Sequence, residues 1–317
     1  MGKRYLVRIW LTSPLATPMH SGTLFGHLCW SWRYLHGEDS LARWLDGMTE
    51  NPLLLSDALP RGCLPRPLLK PALRDRPMPE SELAEFKLLK KRPWISRDSF
   101  LKYRSRLDDN TLLLALREDE QKEAALARQE RLVEARLPHN TIHRHTGRTP
   151  ESGGLYFTDE WWPPGARLER EIFVESSLEP RVLRELFELT GKWGFGKDAS
   201  TGRGRFDVES VEPAPADLFD FTGNRFLTLS HGSVTGNMRD CRYRLHVHYG
   251  RSGSLYSIGA KPFKYPMTLI EPGATFTPCG GGPYGALLED VHSAYPKVRH
   301  SAWHLVVPYV ESEGTHG

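Results

Sequence analysis

Between Gly191 and Phe206 the sequence reads GKWGFGKDASTGRGRF, with five glycines in fourteen residues and Lys192, Lys197, Arg203 and Arg205 set against one acid, Asp198. Glycine reaches positive φ and lets another backbone come close, so such a run wraps something. Successive exposed amides in turns of this kind make a concave anion site, and the basic side chains match that sign. A solvated glycine-rich surface turn is the plainer alternative. Two further polar groups invite the same question. His20 and Ser21 stand before a helix-like segment, where unpaired N–H groups favour anions and where caps are equally at home. His143, Arg144 and Thr146 lie in a polar stretch, where they could touch a ligand or merely satisfy a turn.

The elements that must hold the glycine run can be read on either side of it. Pro180 to Thr190 has Val182, Leu183, Leu186, Phe187 and Leu189 at helical spacing, with proline in the first turn and Gly191 at the stop. Arg205 to Val211 mostly alternates, as a strand does. The unit is therefore helix, glycine loop, strand. A Walker loop needs GxxxxGK[ST], and a dinucleotide fingerprint needs strand, GxGxxG, helix. The reversed order points away from a nucleotide cofactor and towards a polymer backbone.

Composition sets the outer bounds. A chain of 317 residues with 39% hydrophobic and 26% charged content can bury a sizeable core and suggests two domains. Net charge is only +3, so its distribution says more than its sum. Arg61 to Arg106 carries thirteen Lys/Arg against five Asp/Glu, a band that suits a polyanion or a solvated surface. Cys29, Cys63, Cys241 and Cys279 show no CxxC pair and no metal-ligand spacing. Reduced thiols, a cytoplasmic location and no metal or cofactor are expected. No secretory leader is recognised, and no apolar run is long enough to span a bilayer.

Along the chain, Lys3 to Thr12 reads as an opening strand and His20 to Gly37 as a helix, with Leu24, Leu28, Trp32 and Leu35 on one face. Gly26 within it is either a close-approach position or simply tolerated. Pro52 to Pro60 reads as a short buried strand and 61–106 as an irregular excursion, with one helix near Glu80–Lys90. Thr111 to Leu116 reads as a strand, and Arg117 to Arg136 as a polar helix or mobile insertion. Two short strands around a polar loop cover 138–158, and Leu168 to Ser176 is another strand. The order becomes β-α-β…β-α-β, the split βαβ pattern. Pro213 to Asp217 reads as a linker. Strands at Arg225–Leu229, Tyr243–His248, Ala274–Thr277 and His304–Val310 follow, among glycine clusters at 250–253 and 280–285. The expected domains are 1–212, with the basic insertion, and a smaller α+β domain over 222–317.

Several of these stretches together resemble one family. They are HSGTLFGHL from His20, LSDALP from Leu55, NTIHRHTG from Asn140 with Gly154-Leu-Tyr156, and GFGKDASTGRGRF from Gly194. Lys261 to Pro266 and Glu289 to His292 add to them. The chain resembles the RAMP superfamily of CRISPR proteins, and within it the fourth-subunit family of the type III-A Csm effector. The resemblance implies an α+β chain of two ferredoxin-like (RRM-like) domains with irregular insertions and a glycine-rich loop. It implies a non-catalytic RNA-binding scaffold in antiviral defence that caps the complex at the 5′ repeat-derived tag of crRNA. The partners implied are crRNA, the large polymerase-palm subunit and the first backbone RAMP subunit, with no membrane. The family's loop maps onto Gly194, Gly196, Ser200, Gly202 and Gly204; by charge and position, Lys197, Arg203 and Arg205 are the phosphate candidates beside it. Two departures are Asp198, whose charge opposes phosphate, and His143 and His145 flanking Arg144, where relatives often carry an acid before the arginine.

Single-stranded RNA is held by phosphate contacts, stacking and base-edge hydrogen bonds, which the basic and histidine residues can supply. The competing reading is a RAMP-fold endoribonuclease that cuts precursor crRNA, with His20 and His27 as acid and base. The sequence shows no tight catalytic constellation for it. A nucleotide-dependent enzyme lacks a phosphate motif in the right context.

Overall fold

The protein is described here by a computed structural model covering residues 2–72, 80–123, 132–163, 165, 168–257 and 261–312. Strand Lys3–Leu11 lies at the centre of the main sheet, because Tyr5, Leu6, Val7, Ile9 and Leu11 all need cover. It pairs antiparallel with Leu168–Ser176 on one side and Phe206–Pro213 on the other. The short strands Leu54–Leu55 and Leu59–Pro60 pair with the outer edge of Leu168–Ser176. Helix Ser21–His36 connects the first strand to these short strands, and helix Pro180–Trp193 connects Leu168–Ser176 to Phe206–Pro213. The N-terminal unit thus has the split βαβ order expected from its sequence, and the protein is α+β.

Helix Pro180–Trp193 packs on strand Phe206–Pro213 and on Ser21–His36, burying Leu183, Leu186 and Phe187. It does not stop at Gly191. A Cβ there would lie 2.9 Å from the Phe206 ring, so glycine is needed for close packing inside the helix rather than for its end. The helix ends at Gly194, at φ +91°, whose N–H donates to Thr190 O. Gly26 has open space around it and is simply tolerated.

The segment 111–116 is helical, not extended. It lies within helix Asp109–Glu123, where Asp108 Oδ1 accepts from the amides of Asn110 and Thr111. Leu112, Ala115, Leu116 and Asp119 then fall on one buried face. A second helix, Arg97–Tyr103, is capped by Ser96, and Asp119 accepts from Ser96 N, Ser96 Oγ and Ser99 Oγ. Local capping and tertiary burial outweigh the β-like leucine run. Helix Glu80–Lys91 agrees with the expected one. The polar stretch from Arg117 is helical to Glu123 and extended from Val133, and 124–131 lies outside the described residues. Most of the supposed linker is a last strand residue and a one-turn helix, Ala216–Phe219, with Leu218 and Phe219 buried.

The C-terminal strands form a four-stranded antiparallel sheet of Met238–Arg242, Thr275–Pro278, Arg225–Thr228 and Val306–Tyr309. Two ladders stand beside it, Leu245–His248 with Met267–Ile270 and Tyr284–Leu288 with His300–His304. Among the described residues after Phe219 the only helical turn is Ser254–Ser257. Among the described residues the split βαβ order is seen in the N-terminal unit alone. One core joins both units, with Leu227, Leu229, Trp303, Leu305, Val307 and Tyr309 packed into the same cluster as the first strand.

Candidate functional site

The glycine run wraps a piece of its own chain. Gly196 N donates to His27 Nε2 at 2.9 Å, Lys197 N to Thr17 Oγ1 at 2.9 Å and Arg205 N to Ser13 Oγ at 2.7 Å. Gly204 N donates to Pro14 O, Phe195 N to Gly204 O and Arg203 N to Asp198 O. These six amides are therefore engaged inside the protein, and the open anion cradle expected from the sequence is not formed by them. Asp198, at φ +59°, supplies the carbonyl that turns the loop, accepting from Thr201 and Arg203. Burial holds the His27 imidazole neutral, its pKa lowered to about 4, which leaves Nε2 free to accept.

The basic side chains of the loop divide into two sorts. Arg203 Nε pairs with Glu160 Oε1 at 2.8 Å, with the two side chains 23% and 2% exposed. Its Nε is thus committed to the fold, which competes with the phosphate role expected of this side chain. Lys197 is exposed, with Asp198 Oδ2 3.7 Å from its ammonium. Arg205 is half-buried and has no ion-pair partner among the described residues. Ser200 is exposed and Gly202, at φ +90°, has open space around it. Gly194 and Gly204 are buried. Beside the loop, exposed Trp193 stacks on Tyr34, with ring centroids 4.8 Å apart.

Glu160 belongs to a projecting hairpin that composition alone did not suggest as part of this region. Strands Val133–Asn140 and Leu155–Trp162 pair along their whole length, and Trp161 bridges Leu15 through two 2.9 Å backbone hydrogen bonds. The hairpin base, segment 13–17 and the glycine loop are thus one connected assembly. Its upper part exposes Leu155, Tyr156 and Phe157, with His139 stacked on Tyr156 and Arg136 over the Phe157 ring. His143, Arg144 and Thr146 sit at its fully exposed tip, where His143 O accepts from Thr146 N and Gly147 N. Eight strand residues at roughly 3.3 Å each put that tip about 25 Å from the loop, so the two groups are opposite ends of one surface.

His20 and Ser21 are placed elsewhere. Ser21 is 3% exposed, and its N–H donates to Asp57 Oδ1 at 2.9 Å while its hydroxyl donates to His231 O. The anion at this helix N-terminus is the protein's own carboxylate, so Ser21 is not available to an RNA. Asp57 also accepts from His231 N and, at 2.7 Å, from His231 Nδ1. Burial alone would raise its pKa, but His231 beside it holds it well below the carboxylate range. In turn Asp57 overcomes the burial that would lower His231, whose pKa is raised. The His20 ring stacks on His231 with centroids 3.9 Å apart, and His246, His248 and His300 continue the cluster. Burial lowers His20 and His248 to about 4. Sequence reading missed this cluster, although the LHVH strand, with two histidines two apart, carried its signal.

Much of the basic band is neutralised within the protein. Arg61 pairs with Glu169, Arg97 with Glu171, Lys90 with Asp109 and Lys102 with Glu118. No helix among the described residues is long and apolar enough to cross a membrane, and all four cysteines are free thiols.

These features define a class: an α+β chain whose split βαβ sheet carries a glycine loop and a projecting hairpin. Over nearly its whole length the chain has the fold of Csm4. It covers 98% of itself and 100% of a chain in the "Csm1-Csm4 cassette in complex with pppApA", at 17% identity and a TM-score of 0.60. The same cassette "in complex with cA4" aligns at 16% identity with a TM-score of 0.61, again over 98% and 100%. The "Csm3-Csm4 subcomplex in the type III-A CRISPR-Cas interference complex" aligns over 96% and 99%, at 14% identity and 0.56. No protein-family model matches the sequence, and no curated protein matches it.

Proposed function

We propose that this chain is a Csm4-like subunit of a type III-A CRISPR effector, a non-catalytic scaffold that holds the 5′ tag of crRNA. The observation that carries the reading is the end-to-end likeness to Csm4 as solved with two different partners, Csm1 and Csm3. By that likeness its own partners are subunits like Csm1 and Csm3; the sequence resemblance adds crRNA, the polymerase-palm and backbone RAMP roles of those subunits, and two domains near 1–212 and 222–317. The RNA face is the assembly of glycine loop and hairpin. Lys197, Arg205 and, at the tip, Arg144 supply phosphate contacts, while Tyr156, Phe157 and Trp193 supply exposed rings for base stacking. The glycines act indirectly, by holding the loop in place over segment 13–17. Co-expression with the other effector subunits, followed by sequencing of the 5′ ends of associated RNA, tests the reading. A shared repeat-derived 5′ end is expected; random cellular RNA, or none, would reject it.

The endoribonuclease reading keeps one specific observation in its favour, the His231–Asp57 pair with the His20 ring stacked on it, which sets imidazoles beside a carboxylate as acid–base chemistry requires. His27 does not add to it, since its Nε2 already accepts from Gly196. Purified protein with repeat RNA should give no cleavage. Cleavage abolished by His20→Ala would establish the nuclease instead.

A further inference from the structure

We propose that His20, His246 and His248 form a binding site for one divalent transition-metal ion of the zinc class, joining the C-terminal unit to the start of helix Ser21–His36. The three side chains come from distant parts of the chain, yet their ring nitrogens lie within 4.8 Å of one another. His246 and His248 are two apart on strand Leu245–His248, so both imidazoles turn to the same face. The other face carries Leu245 and Val247, which are exposed. A half-buried ladder ordinarily buries its apolar face, so this inverted pattern needs a reason on the histidine side.

Among the described residues no hydrogen bond ties any of the three rings to the protein. Their nitrogens are not sealed from water, so the converging lone pairs of three imidazoles are open to a shared ligand. All three are half-buried rather than sealed, so an ion has a way in. The adjoining set of His20, Asp57 and His231 is a poorer site. Asp57 already accepts from Ser21 N, His231 N and His231 Nδ1. That pair instead orients the site, because His231, fixed by Asp57, stacks on the His20 ring, much as outer groups hold ligating histidines elsewhere. Neutral imidazole suits zinc, nickel and copper rather than magnesium or calcium. Three protein ligands leave the fourth position of a tetrahedral zinc to water.

The test uses the full-length chain without a histidine tag, stripped by a chelator and titrated with Zn2+ against a chromophoric zinc indicator. One ion per chain is expected. Removing two ligands in His246→Asn/His248→Asn should weaken uptake beyond the roughly 10–100-fold typical of losing an outer-shell partner. Co2+ should give the absorption of a tetrahedral nitrogen site without a thiolate charge-transfer band. Should the double variant fail to fold, His20→Gln is compared with wild type by the same titration. Absence of stoichiometric uptake, uptake unaltered by the substitutions, or a thiolate band assigning the ion to a cysteine would overturn the proposal.

Discussion

Replacing Arg203 with alanine weighs its role in the fold against the phosphate role expected from the sequence. In the structure Arg203 Nε lies 2.8 Å from Glu160 Oε1, and the Glu160 side chain is 2% exposed. The second carboxylate oxygen, Oε2, has no partner among the described residues, so removing the arginine strands a buried charge. Breaking a buried pair on one side costs about 3–5 kcal/mol. At about 2.1 cal/mol/K per residue, a chain of 317 residues unfolds with an entropy of about 0.67 kcal/mol/K, so Tm should fall by about 4–8 °C. Removing both charges in Arg203→Met/Glu160→Gln should restore most of the loss. Calorimetry of wild type, Arg203→Ala and the double variant measures the loss and its recovery, with RNA affinity followed over a salt series. An unchanged Tm for Arg203→Ala, together with a salt slope flattened by about 0.7, would mean that Arg203 holds phosphate.

Lys197→Ala should leave Tm unchanged and reduce the log–log salt slope of tag-RNA binding by about 0.7, read by filter binding on the assembled complex. Tyr156→Ala should lower RNA affinity by about 1–3 kcal/mol at every salt concentration, as loss of a stacking ring does. Gly204→Ala should be much more damaging than Gly202→Ala in thermal melts. Both sit at positive φ, but only at Gly204 would a Cβ be forced against the Phe195 backbone. His27 and His304 are buried with pKa values lowered to about 4, below the unfolded value near 6.5. Their contribution is therefore complete above about pH 6.5 and is lost as pH falls towards 4, at up to about 1.4 kcal/mol per pH unit for each. Urea unfolding at pH 7 and pH 5 should show the lower stability at pH 5; equal midpoints would contradict the assignment.

The N-terminal sheet was legible because its signals are local: alternation in Lys3–Leu11 and Leu168–Ser176, and helical spacing with an N1 proline in Pro180–Trp193. Thr111–Leu116 misled because a leucine run reads the same in a strand or a buried helix, and the deciding cap, Asp108, lies outside it. The glycine loop was found but its contents were not. That Ser13, Pro14, Thr17 and His27 accept its amides depends on segments up to 192 residues away. Arg203 looked like its basic neighbours until the hairpin brought Glu160 beneath it. The histidine cluster was hidden for the same reason, since His20, His231 and His248 meet only once the two units pack together.

Photo-crosslinking tests the central claim most directly, using the assembled effector with crRNA carrying a photoreactive nucleotide in the 5′ tag. Peptides from this chain should be recovered from the hairpin, 133–162, and from the glycine loop, 192–205. Crosslinks confined to other subunits, or reaching this chain only from spacer nucleotides, would contradict its assignment as the tag-holding subunit.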